Sequence, residues 1–463
     1  MTVQDGVRLA SLFGAACFVL GLHMMNSPAT ARRGNQLSAF GMLVAVIAVL
    51  VQVSHGGTMN ATRWLVLACG ALIGGAVGLY SARSVAMTSM PQLVSLFNAV
   101  GGGAAALIAV ADYHHDTHLS GGVATASVLD VLIGCVTFSG SLIAAAKLQG
   151  YFSQPVTFPG AKAVSAILAL AAVAAGIDVI AGAHNVWILV IVVAAATGIG
   201  ILMVLPIGGA DMPVVISLLN AFTGTAVAMA GFVLENATLT IAGALVGASG
   251  GILTKLMADA MNRSVLSIIA GGFGTGTSGI EVSGAGGGSV RSIAIDDAAL
   301  QLVYASKVIV VPGYGLAAAQ AQHAVRELAE LLEARGIEVS YAIHPVAGRM
   351  PGHMNVLLAE ANVPYDQLRE MDDINPEFDR TDVALVIGAN DVTNPAARRP
   401  GNAVSGMPIL DVDRARSIIV IKRSMASGYA GIDNELYTDP KTSMLFADAK
   451  KGLAELVAAA KVV

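Results

Sequence analysis

The chain has 463 residues, of which 55% are hydrophobic and only 12% charged, with a mean hydropathy of +0.71. Soluble domains carry roughly 25% charged residues. Half that share cannot cover a globular surface with polar groups, so a purely soluble protein is excluded. The formal charge of −5 offers no basic surface for nucleic acid. The three cysteines, Cys17, Cys69 and Cys135, lie in apolar stretches without CxxC spacing. That argues against a disulfide framework or a zinc site and for buried small side chains.

Charge is also unevenly placed. Up to about residue 264 it is sparse, and beyond about 290 the chain reads as an ordinary α/β protein. A membrane span needs about 20 mostly apolar residues, because 1.5 Å per residue must cross about 30 Å of hydrocarbon. Segments near 8–25, 36–54, 62–80, 85–111, 123–146, 163–183, 186–206, 212–234 and 237–260 meet that length. They predict a bundle of about nine transmembrane helices over residues 1–264. Residues 11–22 followed by Ala29-Thr30-Ala31 imitate a signal peptide, but the segment is read as the first membrane helix. Arg32, Arg33, Arg83, Lys147, Lys162 and Arg263 fall in alternate loops and at the last exit, whereas the other side has only Arg8 and Arg63. Positive charge stays in the cytoplasm. The N-terminus is therefore expected outside and the C-terminal domain in the cytoplasm.

Two of these segments are alike. Met90-Pro91 through Asn98-Ala99 matches Met212-Pro213 through Asn220-Ala221, and Ser139-Gly140 is echoed by Ser249-Gly250. Duplicated units with Pro at a helix entry and a polar group inside often flank a transport path. The plain alternative for these polar residues is interhelical hydrogen bonding. Asp130 and Asp178 read as the deepest ionisable residues, and a membrane-embedded acid is a functional candidate. No segment has the Arg repeat of a voltage sensor. Residues 265–290 form a Gly/Ser-rich linker, too flexible to mount a domain rigidly.

Over 291–463, short β-branched runs alternate with helical stretches, which predicts a doubly wound, Rossmann-like parallel sheet. Strands are expected at 306–311, 338–343, 383–387 and 417–421, with one helix over 316–335. The first strand runs into Val311-Pro312-Gly313-Tyr314-Gly315-Leu316-Ala317-Ala318, a G-x-G-x-x-A match. Gly313 would permit the tight turn, Gly315 the approach of a pyrophosphate, and Ala318 close helix packing. The helix that opens there would turn free N–H groups towards phosphate. Pro-Gly-Tyr-Gly also resembles part of a potassium filter, but it sits outside the membrane half. The second strand ends in His344-Pro345 without the acid of NAD sites, and the 417–421 strand leads into Lys422-Arg423-Ser424. Two cations and a hydroxyl suit a 2′-phosphate, so NADP(H) is preferred; a solvated basic pair is the alternative. Gly388-Ala389-Asn390-Asp391 and the loop Val346-Ala347-Gly348-Arg349-Met350-Pro351-Gly352 also lie at strand exits. No nucleophile-His-acid set or metal cluster is apparent, which leaves the chemistry to the nicotinamide.

These motifs, together with Gly428-Tyr429-Ala430-Gly431, resemble the NADP-binding domain of proton-translocating transhydrogenases, and the Met-Pro…Asn repeat resembles their membrane domain. The resemblance covers essentially the whole chain. It implies hydride transfer from NADH to NADP coupled to inward proton movement. It places Tyr314, the 346–352 loop, Asp391, Lys422, Arg423, Ser424, Tyr429 and the pair Asp448-Ala449 around NADP(H). Asp391 would link protonation to nucleotide release, and Asn98 and Asn220 would line the proton path. Where many relatives have a membrane His, this chain has Asn98. An amide does not titrate near neutral pH, so either a partner chain supplies that group, which is preferred, or Asn98 and Asn220 hold waters along the path. The resemblance further implies alpha subunits with the NAD(H) domain and more membrane helices, a dimer of protomers, and an inner-membrane location. The competing function is a channel or transporter gated by a cytoplasmic nucleotide sensor.

Overall fold

A computed structural model describes residues 3–463 apart from 58, 116–119, 152–155, 183–184, 209–210, 272–289, 351, 403 and 429. The chain divides into two compact units, one made mostly of residues 1–254 and one mostly of 255–463.

Among the described residues, nine helices of the first unit are long and apolar enough to cross a membrane, which fits a membrane protein. They are α1 (Val3–Met24), α2 (Pro28–His55), α3 (Ala61–Ser84), α4 (Met90–His115), α5 (Gly121–Leu148), α6 (Ala161–Ile180), α7 (Val186–Val204), α8 (Met212–Val233) and α9 (Ala237–Ala260). The matching segments open matching helices, α4 at Met90-Pro91 and α8 at Met212-Pro213. Pro is tolerated there because the first turn has no intrahelical acceptor for its missing N–H. Small residues set the packing. A Cβ built on Gly224 of α8 would lie 2.3 Å from the Gly247 nitrogen of α9, so the two backbones touch. A second apolar contact, through Ala106, Val131, Ala175 and Val192, joins α4, α5, α6 and α7. Two expectations are corrected here. Cys17 and Cys135 are buried but Cys69 is exposed, because it lies on α3, which buries no residue in the chain. Asp178 is exposed in the last turn of α6, so only Asp130 is deep.

A short helix α10 (Val265–Gly271) begins the stretch expected to be linker, and the remainder, at 272–289, lies outside the described residues. The second unit is a six-stranded, wholly parallel sheet of order β3-β2-β1-β4-β5-β6. Its strands are β1 (Lys307–Pro312), β2 (Glu338–Ile343), β3 (Leu368–Glu370), β4 (Val383–Ile387), β5 (Ser417–Lys422) and β6 (Thr442–Phe446). Strand β4 is buried at every position, as a sheet covered on both faces requires. Helices α11 (Ile295–Val303), α13 (Gln322–Glu333) and α16 (Ala449–Val462) pack together on one face. Ile309, Val386 and Val420 look to the other, where Phe378, Leu410, Leu436 and Tyr437 meet them. The helix expected over 316–335 is broken into α12 (Tyr314–Ala318) and α13. Gln320 takes φ +49 and the Ala321 N–H reaches back to the Leu316 carbonyl at 3.1 Å, a helix-ending turn that overrides the Ala-rich propensity. Helices α14 (His353–Glu360) and α15 (Met371–Ile374) complete the unit.

Candidate functional site

The strand order reverses direction between β1 and β4, and ligands of such sheets bind beyond the carboxyl ends of the strands at that point. Four expected segments lie there because each follows a strand: 313–318 after β1, 346–352 after β2, 388–391 after β4 and 423–424 after β5. Glycine welds the first and third. A Cβ on Gly313 would stand 2.3 Å from the Ala389 Cα, and one on Gly315 2.6 Å from the Gly388 Cα. Gly388 itself has φ +63, and its N–H bonds to the Ile421 carbonyl at 3.2 Å. Gly313 has φ −128, which any residue adopts, so the neighbouring loop, not the turn, demands glycine there. Two expectations about the motif need correction. Ala318 is exposed and supplies no close helix packing, and the helix it belongs to has only five residues, too short for a developed dipole.

The loop after β2 is held from below by two imidazoles. His344 Nδ1 accepts the Val346 N–H at 3.2 Å while Nε2 lies 2.8 Å from the Pro408 carbonyl, which assigns the proton to Nε2. Burial pushes the His344 pKa down to about 4. His353 Nδ1 accepts the Arg349 N–H at 3.0 Å, and its pKa is likewise lowered, by burial first and then by the Arg349 charge. Gly348, at φ +110, sits where a Cβ would strike the His353 ring. So anchored, the Arg349 guanidinium stacks over the Tyr314 ring, 4.3 Å from its centroid. Ala347 is buried beneath, whereas Val346 and Met350 are half-buried.

A second network binds the exits of β4 and β5. Asp391 Oδ2 accepts the Ala430 N–H at 3.1 Å, and Gly428 lies so close to this carboxylate that a Cβ would collide with it. In the amide orientation that satisfies both its ends, Asn390 accepts from the Gly428 N–H at 2.7 Å and Lys422 Nζ at 3.2 Å, and donates to the Tyr437 hydroxyl at 3.1 Å. The Tyr437 hydroxyl donates in turn to the Ala389 carbonyl at 3.0 Å, and Lys422 Nζ stands over the Tyr437 ring at 4.7 Å. Burial lowers the Lys422 pKa, and the charges of Asp391 and Asp433 partly restore it. Arg423 and Ser424 are exposed, and Arg423 forms no ion pair among the described residues. Asp448 caps α16, accepting the Lys450 N–H at 3.1 Å, with buried Ala449 behind it. It neighbours β5 through the Ala447 N–H, which bonds to the Lys422 carbonyl at 3.2 Å. Pro351 and Tyr429 lie outside the described residues. Sequence reasoning missed His353, Asn434 and Tyr437. A buried Tyr must find a hydroxyl partner, but nothing local in Glu435-Leu436-Tyr437 says that the partner is Ala389.

In the helical unit, Asn98 is buried on α4 and its amide donates to the Ile216 carbonyl of α8 at 3.4 Å. Asn220 is half-buried one turn farther along α8. Ser139 reaches from α5 to the Thr197 carbonyl of α7 at 2.9 Å, whereas its echo Ser249 bonds within its own helix, to Val246, at 3.2 Å.

The sequence matches the NAD(P) transhydrogenase beta subunit family over residues 7–459. The chain belongs to that family. NAD(P) transhydrogenase subunit beta of Rhodospirillum rubrum is 48% identical over 97% of this chain and 98% of the relative. A second sequence of that name, from a particular strain of Rhodospirillum rubrum, gives the same figures. Family membership accounts for both halves at once: helices long and apolar enough to cross a membrane and a nicotinamide-nucleotide fold on one transhydrogenase subunit.

Proposed function

We propose that the chain binds NADP(H) beyond the carboxyl ends of β1, β4 and β5. We further propose that it couples hydride transfer, from NADH on an alpha subunit to NADP+, to inward proton movement through its helices. The observation that carries this reading is the set of strand exits gathered at the β1/β4 reversal. There Gly313, Gly315 and Gly388 bring two backbones together, and β5 ends in Lys422, followed by an exposed Arg423 that forms no ion pair among the described residues. The residues fit the nucleotide: the guanidinium can grip a 2′-phosphate bidentately, and Tyr314 with Arg349 forms a fixed wall. When bound, the nicotinamide supplies hydride acceptance. The chain's own part is to hold it and to sense protons. Asp391 ties the 388–391 segment to Ala430 as an acceptor, so a proton on Asp391 weakens that tie and loosens both loops. Asn98 and Asn220 line the proton path without titrating. The distribution of Lys and Arg supports a cytoplasmic C-terminal domain, and the beta-subunit name of the relative supports an alpha partner. Two protomers would form the working dimer.

The test is calorimetric titration of the purified full chain with NADPH and, separately, with NADH. Tight binding of NADPH alone is expected. Arg423→Ala should weaken NADPH about 10- to 100-fold, the range of a charged hydrogen-bond pair, while leaving NADH unchanged. Equal losses for the two nucleotides would refute the 2′-phosphate assignment.

A further inference from the structure

Helix α5 gathers polar side chains on one face. Ser127, Asp130, Gly134, Thr137 and Ser141 recur at spacings of three and four. That face is the seam with α4: a Cβ on Gly134 would lie 2.5 Å from the Gly102 carbonyl oxygen, and one on Gly102 2.8 Å from the Thr137 Cβ. Asp130 and Ser141 have 0% exposure and Ser127 has 2%. Thr137 satisfies its hydroxyl on the Ile133 carbonyl at 2.7 Å. By contrast, Ser127 Oγ, Ser141 Oγ and both Asp130 carboxyl oxygens have no hydrogen-bond partner among the described residues, and on α4 the same holds for Ser95 Oγ.

Asp130 lies about 14 Å of helix rise from the start of α5, well inside the span. Its neighbours Val128 and Val131 belong to an apolar cluster with Ala109 and Tyr113 of α4, Val179 of α6 and Val192 of α7. The titratable groups with described side chains on the packed elements are Asp112, Tyr113 and His114 of α4 and Lys162 and Asp178 of α6. On α5 itself they are Cys135 and Lys147, and α7 and α8 have none. None of them bonds to Asp130. An unpaired carboxylate in such packing is too costly to persist, whereas the neutral acid is not. A membrane-embedded acid is a functional candidate, and one that is neutral when buried has a proton to give.

We infer that Asp130 is a proton-carrying residue of this subunit, stationed in the outer half of the α4–α5 seam. The inference rests on the proposed function for the direction of proton flow. Its carboxyl O–H bond breaks as the proton passes to a water molecule entering the seam, where a new O–H bond forms. The proton is then relayed inward past Thr137 and Ser141 towards Asn98, about 16 Å of helix away, and the carboxylate is reprotonated from the outer side. No electrons change hands. This assigns to the chain itself a titrating group that Asn98 cannot provide.

The test has two parts. Infrared spectroscopy of the full chain in lipid should show a carbonyl band from a protonated carboxyl group that D130N removes and D130E shifts. A band unchanged in both variants overturns the inference, and so does an unshifted band in D130E if D130N does not fold. In liposomes holding the chain assembled with its partner subunits, D130N should lower proton-coupled turnover at least tenfold while NADPH binding stays within twofold, and D130E should recover most of the loss. Native proton movement in D130N overturns the inference. If instead the unsubstituted complex binds NADPH yet moves no protons, the proposed function fails, a result the infrared band does not depend on.

Discussion

Glycine brings helices together in one half of this molecule and brings loops together in the other. In the helical half, Gly224, Gly231 and Gly243 each stand where a Cβ would meet the facing helix backbone at 2.3–2.4 Å. In the sheet half, Gly313, Gly315 and Gly388 do the same between two strand exits. The neighbourhoods differ. A helix satisfies its own backbone, so close approach needs nothing beyond the missing side chain. Loops leave their backbone groups free, so the sheet half recruits side chains to bond them: His344 and His353 for the 346–352 loop, Asn390, Asn434 and Tyr437 for the 388–391 segment. The helical half buries Asp130 with neither carboxyl oxygen partnered among the described residues, whereas around the candidate site the sheet half spends His344, Asn434 and Tyr437 on holding the loops in shape.

The contrast can be broken most sharply at Gly388. Gly388→Ala combines φ +63 with a Cβ inside the Gly315 backbone, so a loss of about 4 kcal/mol or failure to fold is expected by chemical denaturation. Normal stability would mean that the two exits are not locked together. The histidine anchor gives the next effect. Its ordinary pKa of 6.5 is held at about 4 in the folded chain, so the unfolded chain binds the proton first as pH falls. The stability is therefore complete above pH 6.5 and is lost towards pH 4, by about 3 kcal/mol in all. His344→Gln should flatten that slope in thermal melts between pH 7 and 4.5, and an unaltered slope would place the acid sensitivity elsewhere. The smallest effect belongs to the helical half. Gly74→Ala on α3 meets nothing within 4 Å and should change stability by no more than about 0.5 kcal/mol; a large loss would reveal a partner pressed against α3.

Much of the architecture was legible because it follows from local rules. Apolar length marks a span, and all nine expected segments are helices. A β-branched run before a glycine turn marks a buried strand, and four strands lie where expected. The strands β3 and β6 were not legible. One has three residues and the other, Thr-Ser-Met-Leu-Phe, lacks a β-branched core, so both exist because β2 and β5 offer them an edge. The segments of the candidate site were legible from their place after strands, but not their supports. Tyr437 follows Ala389 by 48 residues, and only the closed sheet brings its hydroxyl to that carbonyl.

The sequence by itself determined the division into helical and sheet halves, the order of the β1, β2, β4 and β5 strands along the chain, and the residues that end them, because hydrophobic period and turn chemistry act over a few residues. The tertiary structure alone decided which glycines are obligatory, which imidazoles stay neutral, and which of two membrane acids is deep. Those depend on what atoms arrive from distant parts of the chain, and burial, not sequence neighbourhood, sets the cost of a charge or a Cβ there.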